Sequence, residues 1–380
     1  MKTYEWIKIN NQPKKWIDTH DQDACFRHLC TYGDQHQIYE TVQEKLENAK
    51  HSVEIVNFII NHEDLIETII KARREKKRYV RVMTWLDQRK HLYIEEDNIF
   101  NLFKTQARSW RKLARNDVPL RSNINCHIKM MLIDKETAII SSANLSKTSL
   151  TRNPENGVLI TNMKEEINII QKFFKAIWKN YANTEIGPLP PHVTASYIEA
   201  NDDEYLRVQT RSTNHDPEFL DGFAHETDNF RFLFTGPCYN TLHAFIIEMI
   251  ERAEEEILLL SFKIDNVQQI GLLRIIKEKI RCGVIVRILV CRKETQIREK
   301  YGKLLEIGCE VNAIDYNHAK GIVVDQEEVM IMTANIDNYI MLHKESINIG
   351  IYFKNKSYGE QAKEFINFLF ENRTHTLRAL

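Results

Sequence analysis

The sequence predicts an α/β protein made of two α-β-α sandwich halves, and three observations carry that prediction. Stretches of helical and of strand periodicity alternate through the chain. The whole order occurs twice, with two His-x-Lys strands 191 residues apart. Finally, 380 residues are too many for one ordinary domain and enough for two, each burying its own core. The expected division is residues 1–182 for the first half, 183–230 for a connector and 231–380 for the second half.

Each copy opens on a glycine, followed by a helix-period stretch and a β-type run: "YGDQHQIYETVQEKLENAKHSVEIVNF" from residue 32 and "TGPCYNTLHAFIIEMIERAEEEILLLSF" from residue 235. Gly33 to Phe58 spans 25 positions and Gly236 to Phe262 spans 26. A second helix and strand follow, "LIETIIKARREKKRYVRVMTW" and "LLRIIKEKIRCGVIVRILVC", with Arg81 and Arg287 in matching places. The His-x-Lys strand comes next, then a short polar turn and another strand, "TAIISSAN" or "EVMIMTAN". After a Glu and a further apolar run, each copy closes on an aromatic helix, "INIIQKFFKAIWKNY" or "YGEQAKEFINFLF". Such alternation buries a mixed sheet between helical layers. The intervening residues 183–230 are Pro-rich and polar, as a connector is, and "EYLRVQT" within them alternates like an edge strand.

The composition is that of a folded protein: 43% hydrophobic and 28% charged residues, with only 12 Gly and 8 Pro, leave no room for a long disordered tail. The N-terminal "MKTYEWIKINNQPKKW" has no apolar run of signal-peptide length, and no stretch approaches the roughly 20 apolar residues of a membrane span, so the expected location is cytoplasmic with no integral membrane segment. Seven cysteines, odd in number and without a Cys-x-x-Cys pair, indicate neither a disulfide framework nor a zinc cluster. The net charge of -1 conceals an asymmetry: residues 1–190 hold 30 Lys plus Arg against 24 Asp plus Glu, and the remainder holds 22 against 29. A polyanionic partner would lean on the first half.

The chemistry concentrates in "HIKMMLID" (127 to 134) and "HAKGIVVD" (318 to 325). Residues i and i+2 of a strand share a face, so His127 points with Lys129 and His318 with Lys320. Each pair sets a titratable imidazole beside a fixed cation. Asp134 and Asp325 end the strands where a carboxylate accepts turn amides, which makes them structural supports. Beyond them stand Ser142 with Asn144 and Thr333 with Asn335, hydroxyl and amide groups suited to phosphate oxygens. Farther on, Glu155 and Glu345, 11 and 10 positions past the respective Asn, are carboxylates able to accept the imidazole Nδ1 proton. Cys126 beside His127 is expected to face away from it as a packed thiol.

The doubled pattern H-x-K-x4-D-x7-[ST]-x-N resembles the paired HKD motif of the phospholipase D superfamily, and the resemblance runs from about Gly33 to the last helix. It implies two halves related by a pseudo-twofold axis, with both motifs meeting in one active site within one chain, so that no oligomer is required. It also implies a metal-independent, cofactor-free phosphodiesterase: one histidine, assigned as His127, attacks phosphorus to give a phosphohistidine. The other, His318, protonates the leaving alkoxide and later activates water, while Lys129, Lys320 and the polar step stabilise the equatorial oxygens. The sequence departs from the family at the usual Gly before the Ser, which is Ser141 or Met332 here, and in having Thr333 for Ser. A Met there is expected to narrow the backbone approach.

The superfamily spans lipases, lipid synthases, nucleases and DNA phosphodiesterases, so the substrate must be sought elsewhere. Arg81 to His127 is 46 residues but Arg287 to His318 is 31, so the first copy carries an insertion before its motif. Read as a helix, the insertion has Ile99, Leu102, Phe103, Trp110 and Leu113 on an apolar face and Lys104, Arg108, Arg111 and Arg115 on a basic stripe. Beside a phosphodiester site that stripe suits a nucleic-acid backbone; a basic amphipathic helix also suits an anionic membrane. The expected activity is therefore a nuclease in defence or repair, with a cytosolic phospholipase D or phosphatidyltransferase, and an inactive nucleic-acid-binding module, as the alternatives. No nucleotide-binding signature is present, so an ATP-driven step would need a separate helicase or ATPase.

Overall fold

The structure is a computed structural model and describes residues 4–10, 14–16, 25–85, 99–188, 197–199, 205–210, 226–227, 229–236, 240–292, 298–337, 341, 346–354 and 356–379. Its strands form two mixed sheets, one centred on each His-x-Lys motif. In the first, the strands run in the order Leu120–Ser122, Tyr79–Thr84, Ser52–Asn57, Lys129–Ile133, Thr137–Ser141, Glu155–Thr161, Phe26–Tyr32. The second repeats that order as Glu310–Ile314, Ile285–Cys291, Glu256–Leu260, Gly321–Val324, Glu328–Met332, Asn348–Phe353, Phe230–Thr235. In both, the first three strands are parallel neighbours and the rest pair antiparallel.

The edges differ. Thr184–Pro188, Tyr205–Thr210 and Tyr197–Glu199, all from the segment expected to be a connector, extend the first sheet. "EYLRVQT" thus yields a strand that is second from the edge. The second sheet is extended by His375–Ala379 and then by Tyr4–Lys8, so a strand from the first few residues lies with the second half rather than the first.

Amphipathic helices close the layers. Helices Gln37–Asn48, Glu63–Arg74 and Ile99–Arg115 cover the outer face of the first sheet, over a core that includes Ile55, Ile69, Val82, Leu113 and Trp110. Thr241–Arg252, Leu272–Arg281 and Arg298–Glu306 cover the second. The two aromatic helices, Lys164–Ala176 and Lys356–Glu371, lie in the central core that joins the halves, where Phe173 packs on Phe232 and Phe234. The insertion is legible in length: 17 residues of helix at Ile99–Arg115 against nine at Arg298–Glu306.

Matching polar contacts brace each motif strand. Asp134 accepts the backbone N–H groups of Lys50, His51 and Ser52 at 2.6 to 2.8 Å, and Asp325 those of Glu254, Glu255 and Glu256 at 2.8 to 2.9 Å. Each carboxylate therefore pins its strand's end to the turn that leads from the first helix into the neighbouring strand. Arg81 pairs with Glu54 and Arg287 with Glu256.

Candidate active site

The two motifs meet where the sheets abut, and backbone bonds between the halves fix their approach. The His127 N–H donates to Ile347 O at 2.9 Å, and the His318 N–H donates to Pro154 O at 3.0 Å. The Asn156 side chain clasps the second motif strand from the first half: its Oδ1 accepts the Lys320 N–H at 3.0 Å and its Nδ2 donates to Lys320 O at 3.1 Å. Both lysines are buried, at 1% and 0% exposure, so their ammonium groups serve the site rather than solvent. Lys129 Nζ lies 2.9 Å from His127 Nε2 and 2.9 Å from His127 O, while Lys320 Nζ donates to His318 O at 2.5 Å. An aromatic ring flanks each imidazole, Phe58 at 5.0 Å from His127 and Phe262 at 5.5 Å from His318.

The groups behind the two rings are not alike. Glu155, fully buried on Glu155–Thr161 of the first half, accepts from Nδ1 of His318 in the second half at 2.8 Å. The corresponding group behind His127 is an amide: Nδ1 lies 3.0 Å from Asn348 Oδ1. Ladder register makes Asn348 the counterpart of Glu155, since Ser141 pairs with Gly157 and Met332 with Gly350, two residues past each. Glu345, assigned this role by counting from Asn335, lies outside the described residues, and the structure gives the position to Asn348. A neutral amide thus stands where a second carboxylate was expected.

Hydrogen bonding settles the orientation of that amide. The Thr235 hydroxyl donates to Ser346 O at 2.7 Å, so toward Asn348 Nδ2, 3.4 Å away, it accepts, and Nδ2 also donates to Ser346 Oγ at 2.9 Å. Oδ1 therefore faces His127, whose Nδ1 carries the proton and whose Nε2 keeps its lone pair.

The hydroxyls predicted to bind phosphate do other work, which corrects that reading. Ser142 donates to Glu155 Oε2 and accepts the Asn156 N–H at 3.0 Å. Thr333 donates to Ile349 O at 3.3 Å and accepts the Ile349 N–H at 3.1 Å. Both are fully buried, so they hold the strands that carry Glu155 and Asn348 and have no hydrogen left for a ligand. Asn144 and Asn335 are nine-tenths buried, and the Oδ1 of each has no hydrogen-bond partner among the described residues. Burying such an atom unsatisfied costs about 1–3 kcal/mol, which marks the two oxygens as acceptors with capacity for a donor group.

Met332 sits across the ladder from Lys320 and is fully buried in the second outer core, so the narrowing expected there is taken up by the core. Gly157 gives Ser141 its space, since a Cβ would come within 2.7 Å of the Ser141 Cβ. At Gly350, the residue paired with Met332, the close neighbour of an added Cβ is Leu242 at 2.6 Å, with Met332 at an ordinary 3.5 Å. Cys126 is buried in the central core and its thiol is pushed up to about 11 by burial, which leaves it unreactive.

Electrostatics separate the two rings further. His127 is held well below its ordinary value by burial and then by the positive charge of Lys129, Lys320 and His318. His318 is also lowered by burial, but Glu155 opposes the shift. Burial would raise Glu155, yet His318, Lys320 and the Ser142 hydroxyl outweigh it and keep the carboxylate ionised. Lys129 falls well below the usual lysine range through burial and Lys320, and Lys320 is lowered by burial to about 8. The site therefore holds a neutral ring, its Nε2 facing the Lys129 ammonium, beside a second ring backed by negative charge. That is the division of labour that nucleophilic and acid–base steps require.

The basic helix packs on the outer layer of the first half: its early turns contact the loop after Phe58, and its Arg115 end lies by the C-terminal end of Glu63–Arg74. Trp110 and Leu113 are buried as read from the sequence, and Gln106 accepts the Ile60 N–H at 2.8 Å and donates to Thr84 Oγ1 at 2.9 Å. Arg108 and Arg115 are exposed and Arg111 is half-buried; for Lys104 the backbone alone is described. Arg111 is lowered by burial and by the charges of Arg115 and Arg108, so the three guanidinium groups lie close together.

A family profile described as "Cardiolipin synthase, PLD-like domain" matches residues 42–178 and 246–369, well over half of the chain. No curated protein matches. Among solved structures, the phosphatidylserine synthase of Haemophilus influenzae Rd KW20 superposes with a TM-score of 0.63 at 14% identity, covering 93% of this chain and 87% of that one. The polyphosphate kinase of Porphyromonas gingivalis gives 0.56 at 11% identity, over 90% of this chain and 50% of that one. Nuc, a phospholipase D family member from Salmonella typhimurium, gives 0.34 at 20% identity, over 40% and 94%. For the synthase and the kinase the likeness, at these identities, is one of fold. No helix among the described residues is long and apolar enough to cross a membrane.

Proposed function

The chain belongs to the PLD-like family of the phospholipase D superfamily, a fold for phosphodiester transfer, and from that premise we propose that it is a phosphodiesterase working through a phosphohistidine at His127, with nucleic acid as its substrate. The observation that carries the chemistry is the unequal backing of the rings, Asn348 behind His127 and Glu155 behind His318. His127 Nε2 attacks phosphorus, and the P–O bond to the leaving group breaks as His318 gives that oxygen its proton. His318, now neutral, takes a proton from water; the water oxygen bonds to phosphorus, the P–N bond breaks and His127 returns to its starting state. Lys129 and Lys320 neutralise the equatorial oxygens, with the Nδ2 groups of Asn144 and Asn335 as further donors.

Support for nucleic acid comes from the insertion helix. Three clustered guanidinium groups repel one another, and a polyanion relieves that repulsion. A second reading, transfer of a phosphatidyl group, is favoured by the family description and by the phosphatidylserine synthase fold extending over 93% of the chain. Labelled DNA, RNA and phospholipid incubated with the protein in excess EDTA separate the two, with His127→Ala and His318→Ala as controls. Cleavage of nucleic acid that survives chelation and is lost in both variants is the expected result. Turnover of lipid alone sinks the nuclease reading, binding without turnover of any of the three leaves a non-catalytic module, and loss of activity on chelation sinks the two-histidine mechanism.

A further inference from the structure

Just outside the paired histidines, on the His318 side, the halves meet in a contact that the mechanism above does not use. The guanidinium carbon of Arg152 lies 4.0 Å over the ring of Tyr316. Tyr316 stands two residues before His318, and Arg152 stands two before Pro154, whose carbonyl accepts the His318 N–H. Burial alternates from 316 to 319: Tyr316 and His318 are half-buried while Asn317 and Ala319 are fully buried. Ring and imidazole are thus both partly open to solvent, two residues apart, and Arg152 above the ring is exposed.

The backbone gives an independent sign that the ring matters there. Tyr316 has φ +62°, the left-handed region that a bulky aromatic residue rarely adopts and that costs about 1 kcal/mol or more. The first half places Asn125 at the matching position, two before His127, and has no such strain. An aromatic face is thus maintained at a turn that favours Gly or Asn, and what it supports is Arg152. A guanidinium lying on an aromatic face keeps its in-plane N–H donors directed outward in a fixed fork, which fits the oxygens of a phosphate better than a lysine does.

We propose that Arg152, held on Tyr316, binds the substrate phosphate adjacent to the one that reacts, on the leaving-group side that His318 protonates. The proposal rests on the nucleic-acid reading and deepens it: a polynucleotide offers a phosphate at every step, so this subsite selects a chain over an isolated diester.

The test compares kcat/KM for a thymidine dinucleotide, with one phosphodiester, and a trinucleotide, with two, corrected for the number of linkages. The wild type is expected to favour the trinucleotide by about tenfold or more, as a charge-assisted phosphate contact gives. Arg152→Ala and Tyr316→Ala should bring that ratio near one, Arg152→Lys should recover only part of it, and Tyr316→Phe, which keeps the aromatic face, should retain it. With the His127→Ala protein, which binds without turnover, Arg152→Ala should also lower the slope of log Kd against log salt by about one. A ratio in Arg152→Ala equal to that of the wild type overturns the subsite, as does an equal loss on both substrates. A wild type that hydrolyses phospholipid but neither oligonucleotide overturns the nucleic-acid reading and the subsite with it. A wild type that cleaves both oligonucleotides equally overturns the subsite alone.

Discussion

Replacing Glu155 with Gln keeps the shape behind His318 and removes its charge. Glu155 is fully buried and His318 only 17% exposed, with 2.8 Å between Oε1 and Nδ1, so solvent screens the pair weakly. Unit charges centred about 4 Å apart interact by roughly 4 kcal/mol at an effective dielectric of 20, equivalent to about three pKa units of support for the imidazolium. Water at the mouth of the site reduces this, so the expected loss in kcat/KM on a natural diester is about two to three orders of magnitude. The loss should depend on the leaving group. A p-nitrophenyl ester expels a phenolate that needs no proton, so the first step should proceed while the second, in which His318 must deprotonate water, slows. A stopped-flow trace of Glu155→Gln on that ester should show a burst of nitrophenolate close to one per enzyme, then a slow steady rate, with phosphate trapped on His127 after denaturation. Equal slowing of activated and unactivated esters, without a burst, would refute the assignment of Glu155 to an acid–base ring.

Three more outcomes follow from the same geometry. Asn348→Asp places a carboxylate behind His127 and raises that ring's depressed pKa, so the acid limb of the kcat/KM profile should move to higher pH; an unmoved limb would show that His127 is not the ring that must be neutral. Lys320 loses its charge as pH rises through about 8, so the wild-type profile should fall there, and Lys320→Arg, slower overall, should carry that fall to higher pH. Asp134→Ala strips three backbone N–H groups of a charged acceptor and should cost about 3 kcal/mol in urea unfolding with little change in KM. Burial raises Asp134, but the amides of Lys50, Ser52 and His51 bring it below its usual value. Its contribution is therefore present at neutral pH and is lost as pH falls through the folded-state value, so wild type and variant should converge in acid.

The doubled motif told most of the architecture because its signals are local. Strand period places His beside Lys, and equal spacing places Asp134 and Asp325 at equivalent turns, where each collects three amides. Three features were hidden, each for a different reason. The choice of Asn348 over Glu345 turns on register, which counting from Asn335 through a loop of different length does not preserve; aligning Glu155-Asn156-Gly157 with Asn348-Ile349-Gly350 on the shared glycine finds it. That Glu155 serves the histidine of the other half is a tertiary fact with no local signature at all. Ser142 and Thr333 misled because a hydroxyl near a phosphate site has the right chemistry for a ligand, and only the register of Asn156 and Ile349 reveals that its capacity is already spent. The strand Tyr4–Lys8 was invisible as a member of the second sheet because its partner, His375–Ala379, lies at the opposite end of the chain.

The crossed bonds from His127 to Ile347 and from His318 to Pro154 and Glu155 make each half the completing part of the other. A half expressed alone holds a histidine whose backbone and ring have lost their anchors, so neither fragment inherits even partial activity. Catalytic competence then becomes a reporter of assembly: turnover appears only once the central seam has closed, and mixing the two fragments would measure that closure directly, as a rate that depends on the product of their concentrations.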